Sequence, residues 1–135
     1  MSELYSPIDY GKLLAVREVK QVLSSASIPA NGTSEFVVES FSMHSSVAVT
    51  VRATYNASAT AGVRIRWLYS ADNINFDAPE DAEADGNYSD LTFTAAATRQ
   101  KTVLIPIFQP YVKVQIVNKD TSYPVTVTCW TTRMR

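Results

Sequence analysis

One cysteine in 135 residues, Cys129, leaves no intrachain disulfide and no zinc site built from several thiolates. Histidine is as scarce: His44 stands alone in the polar stretch Ser42-Met-His-Ser-Ser46, so nucleophilic catalysis of the triad type lacks an evident general base. The four glycines, Gly11, Gly32, Gly62 and Gly86, are scattered singly and form no phosphate cradle. No apolar run approaches the roughly 20 residues of a membrane-spanning helix. The start, Met1 to Tyr10, shows neither the basic segment nor the apolar run of a secretory leader, so synthesis in a cytoplasm is expected. An excess of one charge is also missing. Twelve Lys and Arg balance thirteen Asp and Glu for a net charge of -1, which gives no global field to draw the chain to nucleic acid or an anionic membrane. No catalytic residue, cofactor site or metal site is identified, and the chain is read as non-enzymatic.

What the sequence does have is alternation. In Val47-Ala-Val-Thr-Val-Arg-Ala-Thr-Tyr55 one face carries Val47, Val49, Val51, Ala53 and Tyr55, while Thr50, Arg52 and Thr54 face the other way. Val63-Arg-Ile-Arg-Trp-Leu-Tyr69 repeats the pattern, with Val63, Ile65, Trp67 and Tyr69 inward and Arg64 and Arg66 on the wet face. Further strands are predicted at 22–28, 34–39, 91–94, 102–107, 111–118 and 125–130, punctuated by turn formers such as Asn31-Gly32, Pro110 and Pro124. Pro106 within an apolar run marks an edge strand or a bulge. About eight short strands imply one all-β domain, an antiparallel β-sandwich of jelly-roll or Ig-like type, over residues 21–135.

Two regions do not alternate. Residues 1–20 form an N-terminal arm or a short helix, with Leu4, Tyr5, Ile8, Tyr10, Leu13 and Leu14 as apolar mass ahead of the first convincing strand. These side chains either fold back on their own domain or dock on a neighbouring subunit, which makes them candidate partner contacts. The second region, 71–90, is a long connection holding seven of the thirteen acidic residues: Asp72, Asp77, Glu80, Asp81, Glu83, Asp85 and Asp90. Its spacing does not follow the helix-loop-helix calcium pattern, and it reads as a solvated loop ahead of a metal site.

Among the aromatic residues, Trp67, Tyr69, Tyr111 and Trp130 are the candidates for a sugar-binding platform. Trp67 and Tyr69 share phase with Val63 and Ile65 and are assigned to the core. Trp130 falls out of phase with Val125, Val127 and Cys129, which places it on the outer face or over an edge and Cys129 in the interior. Asn-x-Ser/Thr triplets at Asn31, Asn56 and Asn87 read as turn chemistry.

Three stretches, Val63-Arg-Ile-Arg-Trp-Leu-Tyr-Ser-Ala-Asp-Asn-Ile-Asn-Phe-Asp77, Tyr88-Ser-Asp-Leu-Thr-Phe93, and Pro110-Tyr-Val-Lys-Val-Gln-Ile-Val-Asn118 leading to Val125-Thr-Val-Thr-Cys-Trp130, resemble small β-sandwich structural proteins of tailed bacteriophages and related viruses. The likeness spans roughly residues 21–132. It implies a virion component made in the host cytoplasm, such as a capsid decoration (cement) protein or a tail or neck accessory protein. Such a protein would bind a viral capsid or tail protein and self-associate, a trimer being one option, through the N-terminal residues above and Trp130. The competing expectation is a carbohydrate-binding module using Trp130, with calcium at the acidic loop.

Overall fold

The computed structural model describes residues 17–39 and 46–134. The arm residues Leu4, Tyr5, Ile8, Tyr10, Leu13 and Leu14, and His44, lie outside them. The described chain forms strands β1 (Arg17–Ile28), β2 (Thr33–Glu39), β3 (Ser46–Tyr55) and β4 (Val63–Ser70), a short helix α1 (Pro79–Ala84), then β5 (Tyr88–Asp90), β6 (Thr98–Pro106), β7 (Tyr111–Asn118) and β8 (Val125–Met134).

The strands pair antiparallel in two four-stranded sheets, ordered β1-β8-β3-β6 and β2-β7-β4-β5. First pairs with last, second with seventh, third with sixth and fourth with fifth, as though one long hairpin had been wrapped on itself. That order is the jelly roll, and of the two expected topologies the Ig-like one is excluded. The period-2 pattern explains why the sheets face each other. Val47, Val49 and Val51 of β3 and Val127 and Cys129 of β8 meet Val63 and Ile65 of β4 and Val112, Val114 and Ile116 of β7 in one cluster, all with at most 1% exposure. Each such aliphatic side chain contributes about 1.5–3 kcal/mol on burial.

Trp67 and Tyr69 belong to that core, as their phase implied. Pro106 closes β6, an edge strand, where a residue without an N–H costs no ladder bond.

Several expectations are corrected. The sandwich begins at least four residues earlier than residue 21, because Arg17 pairs with Met134 and Lys20 with Thr131. The strand expected at 91–94 sits instead at Tyr88–Asp90, and the acidic connection holds both that strand and α1. Pro79 at the start of the helix has the right φ for a first turn, and Glu80 and Asp81 there suit the helix dipole. Ala82 is the residue that α1 buries.

α1 packs on the outer side of β4 and so covers a face read as wet. Arg64 and Arg66 remain only 22% and 15% exposed because Glu83 of α1 sits 3.2 Å from Arg64 and 2.7 Å from Arg66. Leu68 is buried on that same side, outside the main core.

Candidate functional site

The outer faces of the two sheets have opposite character. On the β2-β7-β4-β5 face most described charges find a counter-charge, Glu39 at the end of β2 being an exception. Glu35 lies 3.6 Å from Lys113, Glu83 bridges Arg64 and Arg66, and Asp90 joins Arg64 at 2.7 Å and Lys119 at 3.2 Å. Gln115 links the chain by accepting from Arg66 and donating to Glu35. These contacts hold the Glu83 and Asp90 carboxyls below their ordinary range, the leading cause being Arg66 for the first and Arg64 for the second. The middle of this face is thus a network of paired charges.

The β1-β8-β3-β6 face is open. Even-numbered positions of β3, β6 and β8 point outward there, and from 46–54, 98–106 and 126–132 half of them, seven of fourteen, are threonine. None is Asp or Glu, and Arg52 is the only charge. Threonine suits these positions twice over: its branched Cβ favours a strand, and its hydroxyl stays available at the surface. Cross-strand register brings hydroxyls into contact, Thr50 with Thr102 at 2.8 Å and Thr54 with Thr98 at 2.9 Å.

Into this surface β8 sets Trp130. It is half-buried and outward, while Cys129 beside it is wholly buried, as the break in phase implied. Register places Gln21 and Thr50 on either side of Trp130, and Arg52 lies diagonally across. The Arg52 guanidinium carbon sits 5.3 Å from the centre of the indole ring, within the range of a cation–π contact. Its Nε donates to Gln100 Oε1 at 3.0 Å.

Together Val19, Thr50, Arg52, Gln100, Trp130 and Thr132 line an open trough of about 300 Å³, at the small end of ligand sites. Val19, 67% exposed, adds an apolar wall. The trough therefore offers a flat aromatic surface, one cation and several neutral hydrogen-bonding groups. Its lining holds no carboxylate, imidazole or thiol, so the hydroxyls of Thr50 and Thr132 have no general base of those kinds within the trough.

A second concavity of about 210 Å³ opens at one end of the sandwich beside Tyr69, Ser70, Asn75, Asp77 and Gln109. Its polar groups are largely occupied with one another. Asp72 accepts the N–H groups of Ile74 and Asn75 at 2.9 and 2.8 Å and the Ser70 hydroxyl at 3.1 Å, which keeps its carboxyl well below the usual range. Asp77 accepts the Tyr69 N–H at 3.3 Å.

Asp72 and Asp77 thus serve backbone turns, and Glu83 and Asp90 serve ion pairs. Among the described residues no group of three or more His, Cys, Asp or Glu is placed to hold a metal ion.

Of the residues singled out in the sequence, Trp130 lies in the trough, and Trp67 and Tyr69 are core. The sequence pointed Arg52 outward without giving it a role. Gln100 was not singled out at all, because it reaches Arg52 only through β3–β6 pairing, 48 positions along the chain.

The sequence matches no protein-family model and no curated protein sequence. Solved structures resemble the fold. A segment of dimeric latent PorU from Porphyromonas gingivalis matches 89% of this chain at 13% identity with a TM-score of 0.51, and the chain spans only 13% of PorU. A family 35 carbohydrate binding module from Clostridium thermocellum matches 86% of this chain and 90% of its own length, at 13% identity and a TM-score of 0.42. A CBM4 structure matches 97% and 84%, at 9% identity and a TM-score of 0.43. At 13% identity the likeness to the PorU segment is one of fold alone. A jelly roll serves capsid and lectin domains alike, so the choice between them rests on the surface chemistry.

Proposed function

We propose that this chain is a non-enzymatic glycan-binding domain whose site is the outer face of the β1-β8-β3-β6 sheet at Trp130. The observation that carries this reading is the outward indole of Trp130 in an open trough with Thr50, Arg52, Gln100 and Thr132. A pyranose ring has an apolar C–H face and a rim of hydroxyls. An indole surrounded by donors and acceptors matches both parts at once, and stacking on it contributes on the order of 1 kcal/mol. The fourteen outward positions of β3, β6 and β8 include no carboxylate, and a rigid sheet holds its side chains without an ordering step on binding.

Isothermal titration of the full chain against a panel of neutral and acidic oligosaccharides tests the reading, with Trp130→Ala and Trp130→Phe run beside it. At least one oligosaccharide is expected to bind, with Trp130→Ala weakening it tenfold or more, about 1.4 kcal/mol, and Trp130→Phe weakening it less. Circular dichroism of each variant checks that the sandwich is intact. A wild type that binds nothing on the panel, or a Trp130→Ala variant that binds as the wild type does, would sink this reading.

A further inference from the structure

We infer that the ligand taken at Trp130 carries a carboxylate, that is, an acidic sugar of the uronic acid class, and that Arg52 is the residue that selects it. The inference rests on the glycan-binding reading above and narrows it to a substrate class.

Among the described residues Arg52 shares the lack of a carboxylate partner with Lys20, Arg99, Lys101 and Arg133, and it is the one of these five that lines the trough against Trp130. Arg64 and Arg66, on the opposite sheet, each have a carboxylate within 3.2 Å. Arg52 has none among the described residues; its polar partner is the neutral side chain of Gln100. The fourteen outward positions around it hold no Asp or Glu, so an approaching anion meets one positive charge and no repulsion from the same face.

The guanidinium is also held in place. The Nε bond to Gln100 and the contact with the indole restrain the arginine while using only one of its five N–H donors. Both terminal nitrogens remain for a ligand, and a planar fork of N–H groups fits a carboxylate in bidentate fashion. In a uronic acid the carboxylate is attached to a ring carbon. One sugar residue can therefore place its C–H face on Trp130 and its carboxylate on the neighbouring guanidinium, and a neutral hexose, with a hydroxymethyl group at that carbon, meets only the first.

Oligogalacturonate, oligoglucuronate and oligomannuronate, each beside its carboxyl-reduced neutral counterpart, are the probes, titrated into wild type, Arg52→Gln, Arg52→Lys and Trp130→Ala at low and physiological salt. The wild type is expected to bind at least one oligouronate tenfold or more tighter than its reduced counterpart. Arg52→Gln should abolish that preference while leaving weak binding of the neutral form, Arg52→Lys should keep part of it, and Trp130→Ala should weaken both forms. Equal affinity for an oligouronate and its reduced form, or a preference that survives Arg52→Gln, overturns the role of Arg52 and leaves glycan binding standing. Binding of oligouronates that is unchanged by Arg52→Gln and Trp130→Ala alike marks diffuse charge attraction elsewhere and overturns both. A wild type that binds neither acidic nor neutral probes also overturns both.

Discussion

Asp120 Oδ1 accepts the backbone N–H of Thr60 at 2.7 Å and so ties the turn after β7 to the loop between β3 and β4, sixty positions earlier. The same oxygen accepts the Ala61 N–H at 3.1 Å, and Oδ2 accepts Ser122 and Tyr123 at 3.0 and 2.7 Å. Asn118 backs this knot from within. Its side-chain nitrogen donates to the carbonyls of Ile28, Pro29 and Tyr123, and its oxygen accepts the Asp120 N–H. Three loops from both sheets thus converge on two adjacent polar side chains, each 2% exposed, which fixes the end of the sandwich where jelly-roll strands change sheets.

Asp120→Asn is expected to lower the thermal midpoint more than Glu83→Gln does. A carboxylate is acceptor-only, whereas the amide turns an NH2 group against N–H donors that have no other partner. The N–H groups facing Asp120, that of Thr60 first, depress its carboxyl to about 2. Its stabilising contribution is therefore complete above the ordinary value of 3.8 and is lost as the pH falls toward 2. Midpoints measured between pH 5 and 2 should drop more steeply for wild type than for Asp120→Asn. Parallel curves would remove Asp120 from this role.

The clasp between α1 and the sheet should behave as a weaker, partly screened contact. Glu83→Gln is expected to cost about 1 kcal/mol or less at pH 7, since both partners retain some solvent access. Arg66 and Arg64 lower the Glu83 carboxyl below its usual 4.5, so the contribution is present above that pH and fades as the pH falls through the depressed value. Wild type and variant should accordingly differ at pH 7 and converge at strongly acidic pH. Hydrogen exchange of the Ala82 and Asp85 amides, which bond back along α1, reports the same loosening locally.

How much of this was legible beforehand divides by the range of the interaction. β7 was bounded correctly from its alternation and Pro110, and the inward phase of Val49, Ile65 and Trp67 followed from a side-chain period that needs no partner strand. Topology was not legible, because jelly-roll and Ig-like sandwiches share that pattern and differ only in pairing. α1 escaped notice because six residues carry too short a pattern to stand out within an acidic stretch. Arg64 and Arg66 were misjudged as wet for the same reason: the helix that covers them is neither long nor apolar. At the trough, Trp130 declared itself by breaking phase, whereas Arg52 and Gln100 became a pair only once register placed them opposite one another.

Cys129 offers a test of the core at the strand that carries Trp130. Its thiol is wholly buried between the register partners Leu23 of β1 and Val51 of β3, and burial pushes it up from 9.0 to about 12. The thiolate is the species that reacts, so at pH 8 the native protein holds about a thousandfold less of it than an exposed thiol would, in addition to being closed to reagents. Alkylation by iodoacetamide at pH 8 is expected to be slower by roughly a hundredfold or more in the native state than in denaturant. Native labelling within a factor of ten of the unfolded rate would mean that β8 opens readily, and the trough would then lack the rigid backing that preorganises Trp130. Replacement sharpens the point. Cys129→Ala removes one sulfur and its weak 4.0 Å contact with the Trp130 carbonyl, whereas Cys129→Ser places a hydroxyl among aliphatic neighbours with that carbonyl at the far edge of reach, a burial that costs about 1–3 kcal/mol when the hydroxyl is left unpaired. The serine variant should therefore melt lower than the alanine variant, and the reverse order would mean that the serine hydroxyl closes on the Trp130 carbonyl or on a water.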